Sequence, residues 1–171
     1  MKTLIIYGTR YGSTEKCGQL LKNELNGEID LCNLMTEEIP DLNPYENVII
    51  GGSIYIGQIQ KEVKTFISTH LNELLTKKLG LFTCCSRKGD IAIDQINTVF
   101  GEDLLNHAVV KDYFGGEIYY KKMKFLDRLV TRMVSKADKD FPILDENKNG
   151  SFLKHEAIHN FASLMNEDKG E

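Results

Sequence analysis

Hydroxyl-bearing and glycine residues are concentrated in one short loop near the amino terminus, with the sequence Thr9-Arg10-Tyr11-Gly12-Ser13-Thr14. An apolar run ends just before this loop, and a helix-like pattern begins just after it. The free N–H groups and the positive dipole end of a helix N-terminus favour an anion. The hydroxyls of Thr9, Ser13 and Thr14 add three donors, and Gly12 lets the backbone fold around the anion. The sequence therefore predicts a phosphate-binding loop.

Two common nucleotide-binding patterns do not fit this loop. A nucleoside-triphosphate loop requires Gly-x4-Gly-Lys-Ser/Thr, but Gly8 and Gly12 are too close together and no lysine follows them. The dinucleotide pattern Gly-x-Gly-x-x-Gly is absent from the loop as well. An ordinary strand-to-helix turn, capped by Ser13 or Thr14, remains as the alternative interpretation.

The elements that position this loop alternate between strands and helices. The pattern predicts strands at 2–7, 29–33, 47–53, 78–85 and 108–117, and helices at 13–26, 61–75, 91–100 and 153–166. Because the strands are apolar on both faces, we expect an α/β fold in which helices cover both sides of a parallel sheet. We interpret residues 1–171 as one domain, with a basic helical insertion at about 119–140.

Two further loops follow apolar strands and are expected at the same sheet edge as the first, where parallel sheets bind ligands. One loop contains Ser53, Ile54, Tyr55, Ile56 and Gly57. The other contains Thr83, Cys84, Cys85 and Ser86. Tyr55 is suited to stacking on a flat ring, although a surface tyrosine is the alternative.

Composition narrows the class of protein. With 42% hydrophobic and 27% charged residues and a net charge of −4, the chain is typical of a globular protein. No apolar run is long enough to span a bilayer. The four cysteines have neither zinc nor Cys-x-x-Cys spacing, which favours reduced thiols in a cytoplasmic protein. Neither a metal site nor a nucleic-acid partner is predicted, and the four histidines are interpreted as surface or packing residues.

The three loops together resemble those of the flavodoxin family. Thr9, Gly12 and Thr14 match the family's phosphate loop, and Tyr11 stands where a threonine is usual. The resemblance implies a doubly wound five-stranded sheet of order 2-1-3-4-5. It also implies FMN as cofactor, held by the residues of the three loops named above and by Gly115 and Gly116 of the Gly-rich fifth strand.

The resemblance is strongest to the menaquinone-dependent protoporphyrinogen oxidase branch, through Gly51-Gly52-Ser53-Ile54-Tyr55-Ile56-Gly57 and Gly115-Gly116-Glu117-Ile118-Tyr119-Tyr120. This implies an FMN-dependent oxidoreductase that takes electrons from a porphyrinogen-like substrate and passes them to a quinone. The flavin carries the chemistry in this family, so no catalytic acid or base is predicted. The chain has no tryptophan to sandwich the flavin. Two alternatives remain: an electron carrier that serves a protein partner, and a regulatory or calcium-responsive domain without redox function.

The segment 121–136 carries six lysines and arginines against one aspartate, and its apolar residues recur at helical spacing. A basic amphipathic helix can lie on an anionic membrane, which would place this protein peripherally on the inner face of the membrane. Alternatively, the segment roofs the flavin and its basic side chains are simply solvated. Both interpretations stay open at this point.

A second motif, Asp145-Glu146-Asn147-Lys148-Asn149-Gly150 with Glu156, fits the calcium-loop pattern. Pro142 opposes the incoming helix that such a loop requires, and no second loop pairs with it. We therefore interpret the motif as an ordinary turn.

Overall fold

Five parallel strands form one sheet in the computed structural model, which describes residues 1–85, 87, 89–119, 122–137 and 150–167. The strands are β1 (Lys2–Gly8), β2 (Glu28–Asn33), β3 (Asn47–Ser53), β4 (Lys78–Cys84) and β5 (Val110–Tyr113). Their order is β2-β1-β3-β4-β5, and every neighbouring pair is parallel. The predicted fold class and strand order are therefore confirmed.

Helices flank the sheet and connect its strands. They are α1 (Ser13–Glu24), α2 (Lys61–Leu74), α3 (Gly89–Val99), α4 (Glu102–His107), α5 (Phe125–Ala137) and α6 (His155–Asn166). In the described part of the chain, no helix is long and apolar enough to cross a membrane.

Both faces of the sheet are buried, because successive side chains of a strand point in opposite directions. Leu4 and Ile6 of β1 belong to a core cluster that includes residues of α2, α3 and α4. Ile5 and Tyr7 belong to a second cluster, formed with α1 and α6. The apolar strands thus explain why the fold needs helices on both sides.

Three aromatic rings stabilise the core between β4, β5 and α6. The rings of Phe82 and Phe114 stack with centroids 4.7 Å apart, and Phe161 meets Phe114 edge-on at 5.2 Å. A Cβ atom on Gly51 would lie 2.1 Å from the Phe82 ring. The neighbouring strand therefore needs a glycine at this position.

The fifth strand is shorter than predicted, and the assignment of 108–117 was wrong at both ends. The strand ends at Tyr113. Gly115 then adopts a φ of +69°, and a Cβ atom at this position would lie 1.9 Å from the carbonyl oxygen of Phe152. The following residues form β6 (Glu117–Ile118), which pairs antiparallel with β7 (Gly150–Ser151). The short helix α4 was also missed, because six residues are too few to show a period.

The calcium-loop motif lies mostly outside the described residues. Its positions 145–149 are not described, Gly150 lies in β7, and Glu156 is exposed in the first turn of α6. The interpretation of this motif as a turn stays a prediction.

Candidate functional site

The loops that follow β1, β3 and β4 meet at the carboxyl edge of the sheet and enclose a cavity of about 460 Å³. The predicted residues in its wall are Thr9, Arg10, Tyr11, Ser13, Ser53, Ile54, Tyr55, Ile56, Gly57, Cys84, Cys85 and Gly116. We call these three loops the floor of the cavity. The size lies in the usual range for small-molecule and cofactor sites.

The remaining predicted site residues do not line the cavity. Gly12, Thr14, Thr83 and Gly115 are not part of the cavity wall, and Ser86 lies outside the described residues. The hydroxyls of Thr14 and Thr83 are buried and have no hydrogen-bond partner among the described residues. Thr14 is fully buried, and of the three predicted hydroxyls those of Thr9 and Ser13 belong to residues that line the cavity; the role of Thr14 stays a prediction.

The first loop has the geometry that an anion requires. Gly12 is the N-cap of α1 with a φ of +91°, a left-handed conformation that favours glycine. The N–H of Gly12 donates to Thr9 Oγ1 at 3.0 Å, and the N–H of Glu117 donates to Ser13 Oγ at 2.8 Å. Both hydroxyls keep their own hydrogen for a ligand. Together with the free N–H groups of the first helical turn, these donors fit a phosphate.

The loop after β3 forms a tight hairpin turn at the cavity wall. Tyr55 and Gln58 exchange two backbone hydrogen bonds of 2.9 and 3.1 Å, and the residues between them, Ile56 and Gly57, both have positive φ. These features are typical of a type I′ turn. Ile56 has a φ of +49°, which is strained for a β-branched residue.

Gln60, which the sequence reasoning missed, holds this loop against β3. Its side-chain oxygen accepts from the Ser53 N–H at 3.1 Å, and its amide nitrogen donates to the Ser53 carbonyl at 3.0 Å. A Cβ on Gly52 would meet Ile59 at 2.4 Å. The loop is therefore fixed by contacts with the residues at the start of α2.

The helix α5 covers the cavity opposite the floor, and we call it the roof helix. Met123, Val130 and Thr131 of this region line the cavity. Asp127, only 7% exposed, faces the floor as well. Its carboxylate accepts from Tyr55 Oη at 2.5 Å, from Tyr11 Oη, and from Arg10 Nη1 at 3.3 Å.

These contacts keep the carboxylate of Asp127 charged. Burial alone would raise its pKa, but the phenols of Tyr11 and Tyr55 and the guanidinium of Arg10 outweigh burial and hold the pKa below its ordinary value. Burial, followed by the bond to Asp127, raises the pKa of Tyr55 to about 12. Both phenols therefore act as donors at neutral pH.

The other face of the roof helix is apolar and points away from the cavity. Phe125, Leu126, Leu129 and Met133 are between 46% and 79% exposed. Lys122, Lys124 and Arg132 are exposed in the same region. The described part of 121–136 therefore combines both features that the sequence suggested, a roof over the cavity and an exposed basic, apolar surface.

A second carboxylate, that of the partly buried Glu117, lies in the cavity wall beside the first loop. It pairs with Lys16 Nζ at 2.5 Å and also accepts from Tyr119 Oη and from Ser151 Oγ. These bonds outweigh burial and lower the pKa of Glu117 below its ordinary value. The network ties β6 and β7 to α1.

The cavity cysteines are neutral thiols at physiological pH. Burial raises the pKa of Cys85 to about 11, and burial raises that of Cys84 well above its ordinary value. A protonated thiol is a poor nucleophile. None of the four histidines, all of them described, lines the cavity.

Several wall residues were not predicted as site residues: Arg87, Gln95, Glu117, Met123, Val130, Thr131 and Phe152. Arg87 lies in the third floor loop, so its position in sequence could have indicated it. Met123 and Val130 belonged to the apolar spacing of the basic segment, which indicated a buried face without saying what it covers. Gln95 and Phe152 carry no local signal.

Comparisons with known proteins agree with this geometry. The protoporphyrinogen IX dehydrogenase (quinone) of Escherichia coli strain K12 is 26% identical over 170 residues, which cover 95% of this chain and 93% of that protein. A flavodoxin of Streptococcus pneumonia TIGR4 has a TM-score of 0.55 at 14% identity and covers 96% of this chain and 97% of its own. A short-chain flavodoxin associated with a PDU bacterial microcompartment has a TM-score of 0.53 at 16% identity, and the match covers 81% of this chain and 99% of that flavodoxin. The two solved structures support the fold alone.

The flavodoxin domain model matches residues 4–144, which is most of the chain. The resemblance to the protoporphyrinogen oxidase branch is confirmed as a similarity, and the predicted cofactor FMN is confirmed at the level of the family. The chain belongs to the flavodoxin family.

Proposed function

We propose that this protein is an FMN-dependent oxidoreductase that oxidises a porphyrinogen-like substrate and reduces a quinone. The observation that carries the proposal is the roofed cavity. The floor offers donors for a phosphate, and Val130 of the roof helix, together with Met123 just before it, closes the space above. A pocket with apolar walls and few polar groups suits a flat aromatic ring. The relative in Escherichia coli is named as a quinone-linked protoporphyrinogen IX dehydrogenase.

The protein's own residues have distinct roles in this proposal. Thr9, Ser13 and the N-terminal N–H groups of α1 would hold the phosphate. Tyr55 and Ile54 flank the ring. FMN, when bound, supplies the redox chemistry, while the floor and the roof helix orient it and exclude water.

The phosphate assignment is tested with two matched variants. Thr9→Val removes a hydroxyl in the cavity wall, and we expect it to weaken FMN binding about tenfold. Thr76→Val removes an exposed hydroxyl in the turn after α2, far from the first loop in the chain, and we expect binding to remain as in the wild type. Fluorescence titration of the apoprotein with FMN measures both. Equal affinities for all three proteins would contradict the assignment.

The reaction is tested with the purified, flavin-loaded protein under anaerobic conditions. Adding a porphyrinogen and a quinone should produce porphyrin fluorescence at a rate that depends on both. A protein that exchanges electrons with a reductase but ignores these two molecules is an electron carrier instead. A colourless protein that takes up no FMN would contradict both functions.

The exposed face of the roof helix fits an anionic bilayer, in which a quinone is dissolved. Apolar side chains next to Lys124 and Arg132 can insert among lipids while the basic groups meet the headgroups. The bilayer would then lie about one helix diameter, roughly 10 Å, from the cavity. This arrangement gives a lipid-soluble acceptor a short path to the flavin.

Vesicle sedimentation tests this membrane contact. Replacing Lys124 and Arg132 with Gln should weaken binding to phosphatidylglycerol vesicles about 30-fold, since each basic group contributes about 1 kcal/mol. The control replaces Lys61 and Lys111, two exposed lysines elsewhere, and should bind as the wild type does. An equal loss of vesicle binding in both variants would indicate that binding depends only on the net charge of the protein. If neither the wild type nor the variants bound vesicles, the membrane contact would be excluded.

A further inference from the structure

Asp127 is the residue through which the roof helix and two of the three floor loops are joined. Arg10 and Tyr11 belong to the first loop and Tyr55 to the second, and all three donate to the same carboxylate. Asp127 is separated from Arg10 by 117 positions in the chain. The carboxylate therefore connects parts of the cavity that the backbone does not link directly.

We propose that Asp127 is a positioning residue for the redox site: its carboxylate fastens the roof helix and thereby sets where Tyr55 and Arg10 lie over the cavity. The inference rests on the proposed function in that it takes this cavity as the flavin site. It adds a role for a side chain that is not itself part of the cavity wall.

The geometry around Tyr55 supports this role. The phenol oxygen of Tyr55 is held by Asp127 at 2.5 Å, and the guanidinium of Arg10 lies over the Tyr55 ring, 4.7 Å from its centroid. Because Arg10 also pairs with Asp127, one carboxylate fixes both the tip of the ring and the cation above its face. Without it, Tyr55 would lose the hydrogen bond that joins its phenol to the roof helix.

A further hydrogen bond between the roof segment and the floor involves one of the same donors. The backbone N–H of Lys124 donates to Tyr11 Oη at 3.3 Å, and this same hydroxyl donates to Asp127. Val130 and Met123 contribute apolar contact, which does not specify orientation. The four large apolar residues on the other face are exposed and do not hold the helix down.

The first experiment measures hydrogen exchange in the full-length apoprotein. In Asp127→Asn, the carbonyl oxygen can replace only one carboxylate oxygen, and a hydrogen bond to a charged group is lost. We expect the amides of 125–133 to exchange about tenfold or more faster, while those of α2 and α6 keep wild-type rates. Asp103→Asn, which removes an exposed carboxylate of α4, should leave all rates unchanged.

The second experiment measures the flavin site. Asp127→Asn should bind FMN about tenfold more weakly and shift the flavin midpoint potential in the positive direction, because an anion beside the cavity is removed. In a Tyr55→Phe background the same substitution should change affinity much less, since the two residues act as a pair. Tyr55→Phe alone also keeps the test open if Asp127→Asn folds poorly, because it should speed exchange in the roof helix to a smaller degree.

The outcomes separate this inference from a purely structural role. Exchange that rises equally in α2, α6 and the roof helix would overturn it, as would wild-type exchange and FMN affinity in Asp127→Asn, or full additivity with Tyr55→Phe. If the wild type bound no FMN, the proposed function would fail. The exchange measurement on the apoprotein would still decide whether Asp127 fastens the roof helix.

Discussion

The floor and the roof of the cavity are built in different ways. The floor loops extend from the strands β1, β3 and β4, whose residues are almost all buried, and the parallel register fixes where each loop begins. The roof helix has one face of large exposed apolar residues, and on its other face Asp127 accepts hydrogen bonds from three side chains of the floor. The sheet therefore fixes the positions of the floor loops, whereas side-chain contacts fix the position of the roof helix.

This difference predicts that damage to the two regions has different consequences. Packing in the sheet core is shared by many residues and determines whether the protein folds at all. A polar contact at the roof is local, so losing it should open the cavity and leave the sheet intact. The same division suits a redox site in which the cofactor is held rigidly on one side and a substrate enters on the other.

The largest effect is expected beneath the floor. Phe82→Ala removes a ring that is fully buried, stacked on Phe114 and close to Phe161, and should lower the free energy of unfolding by about 3–5 kcal/mol. The matched control is Leu126→Ala on the exposed face of the roof helix, which should change it by less than about 0.5 kcal/mol. Urea denaturation measures both. Similar losses in the two variants would contradict the distinction between floor and roof.

The floor could be predicted from the sequence because its signals are local. Apolar runs that end in hydroxyls and glycines identify strands and the loops after them, and parallel topology brings those loops to one edge. The sequence pattern did not predict where β5 ends. Phe114, Gly115 and Gly116 continue the apolar run, but a left-handed Gly115 packed against Phe152 ends the strand.

The contacts of the roof could not be predicted in this way. Helical spacing in 121–136 indicated a helix with two faces but not which partners each face would meet. Asp127 was counted only as the single acidic residue in a basic segment, and its partners lie more than 70 positions away. Side-chain contacts over such separations follow from the complete fold and not from any local pattern. Gln60 was missed for a different reason: its partner Ser53 lies only seven positions away, but no spacing pattern indicates a side chain that bonds back to the end of a strand.

An effect of intermediate size on the stability of the roof helix is expected when the carboxylate of Asp127 is protonated. The folded pKa of Asp127 lies below its ordinary value of 3.8, so its stabilising contribution is present above that value and is lost as the pH falls through the lower, folded pKa. The two phenols that donate to this carboxylate, those of Tyr11 and Tyr55, have raised pKa values and stay protonated over this range. A loss of these contacts in acid therefore comes from protonation of Asp127 itself.

Hydrogen-exchange protection of residues 125–133, measured as a function of pH, checks this expectation. Wild-type protection should decrease below pH 3.8 by an amount corresponding to about 1.5–3 kcal/mol. Asp127→Asn should show low protection at every pH and no such step. The amides of α2 should show no step in this pH range in either protein. A step of equal size in the variant would assign the acid sensitivity to another group.

The smallest effect concerns a strained turn at the boundary between the two regions. Ile56 and Gly57 both have positive φ, at +49° and +69°, between the paired residues Tyr55 and Gln58. Asn-Gly is the sequence that a type I′ turn prefers, and a β-branched residue is strained there. Because the Ile56 side chain is 69% exposed, Ile56→Asn should relieve strain at little cost in burial and raise the free energy of unfolding by about 1 kcal/mol.

Gly57→Ala is the matched control for this turn, and its sign should be opposite. A Cβ at Gly57 would meet no atom within 4 Å, so the substitution adds only backbone strain and should destabilise by about 1 kcal/mol. Thermal unfolding of the two variants measures both changes in one turn. If Ile56→Asn were instead destabilising, the isoleucine would be stabilised by contacts and not merely tolerated. If Ile56→Asn raised stability but weakened FMN binding, the strained backbone at this position would contribute to cofactor binding at a cost in stability, as strained backbone often does at functional sites.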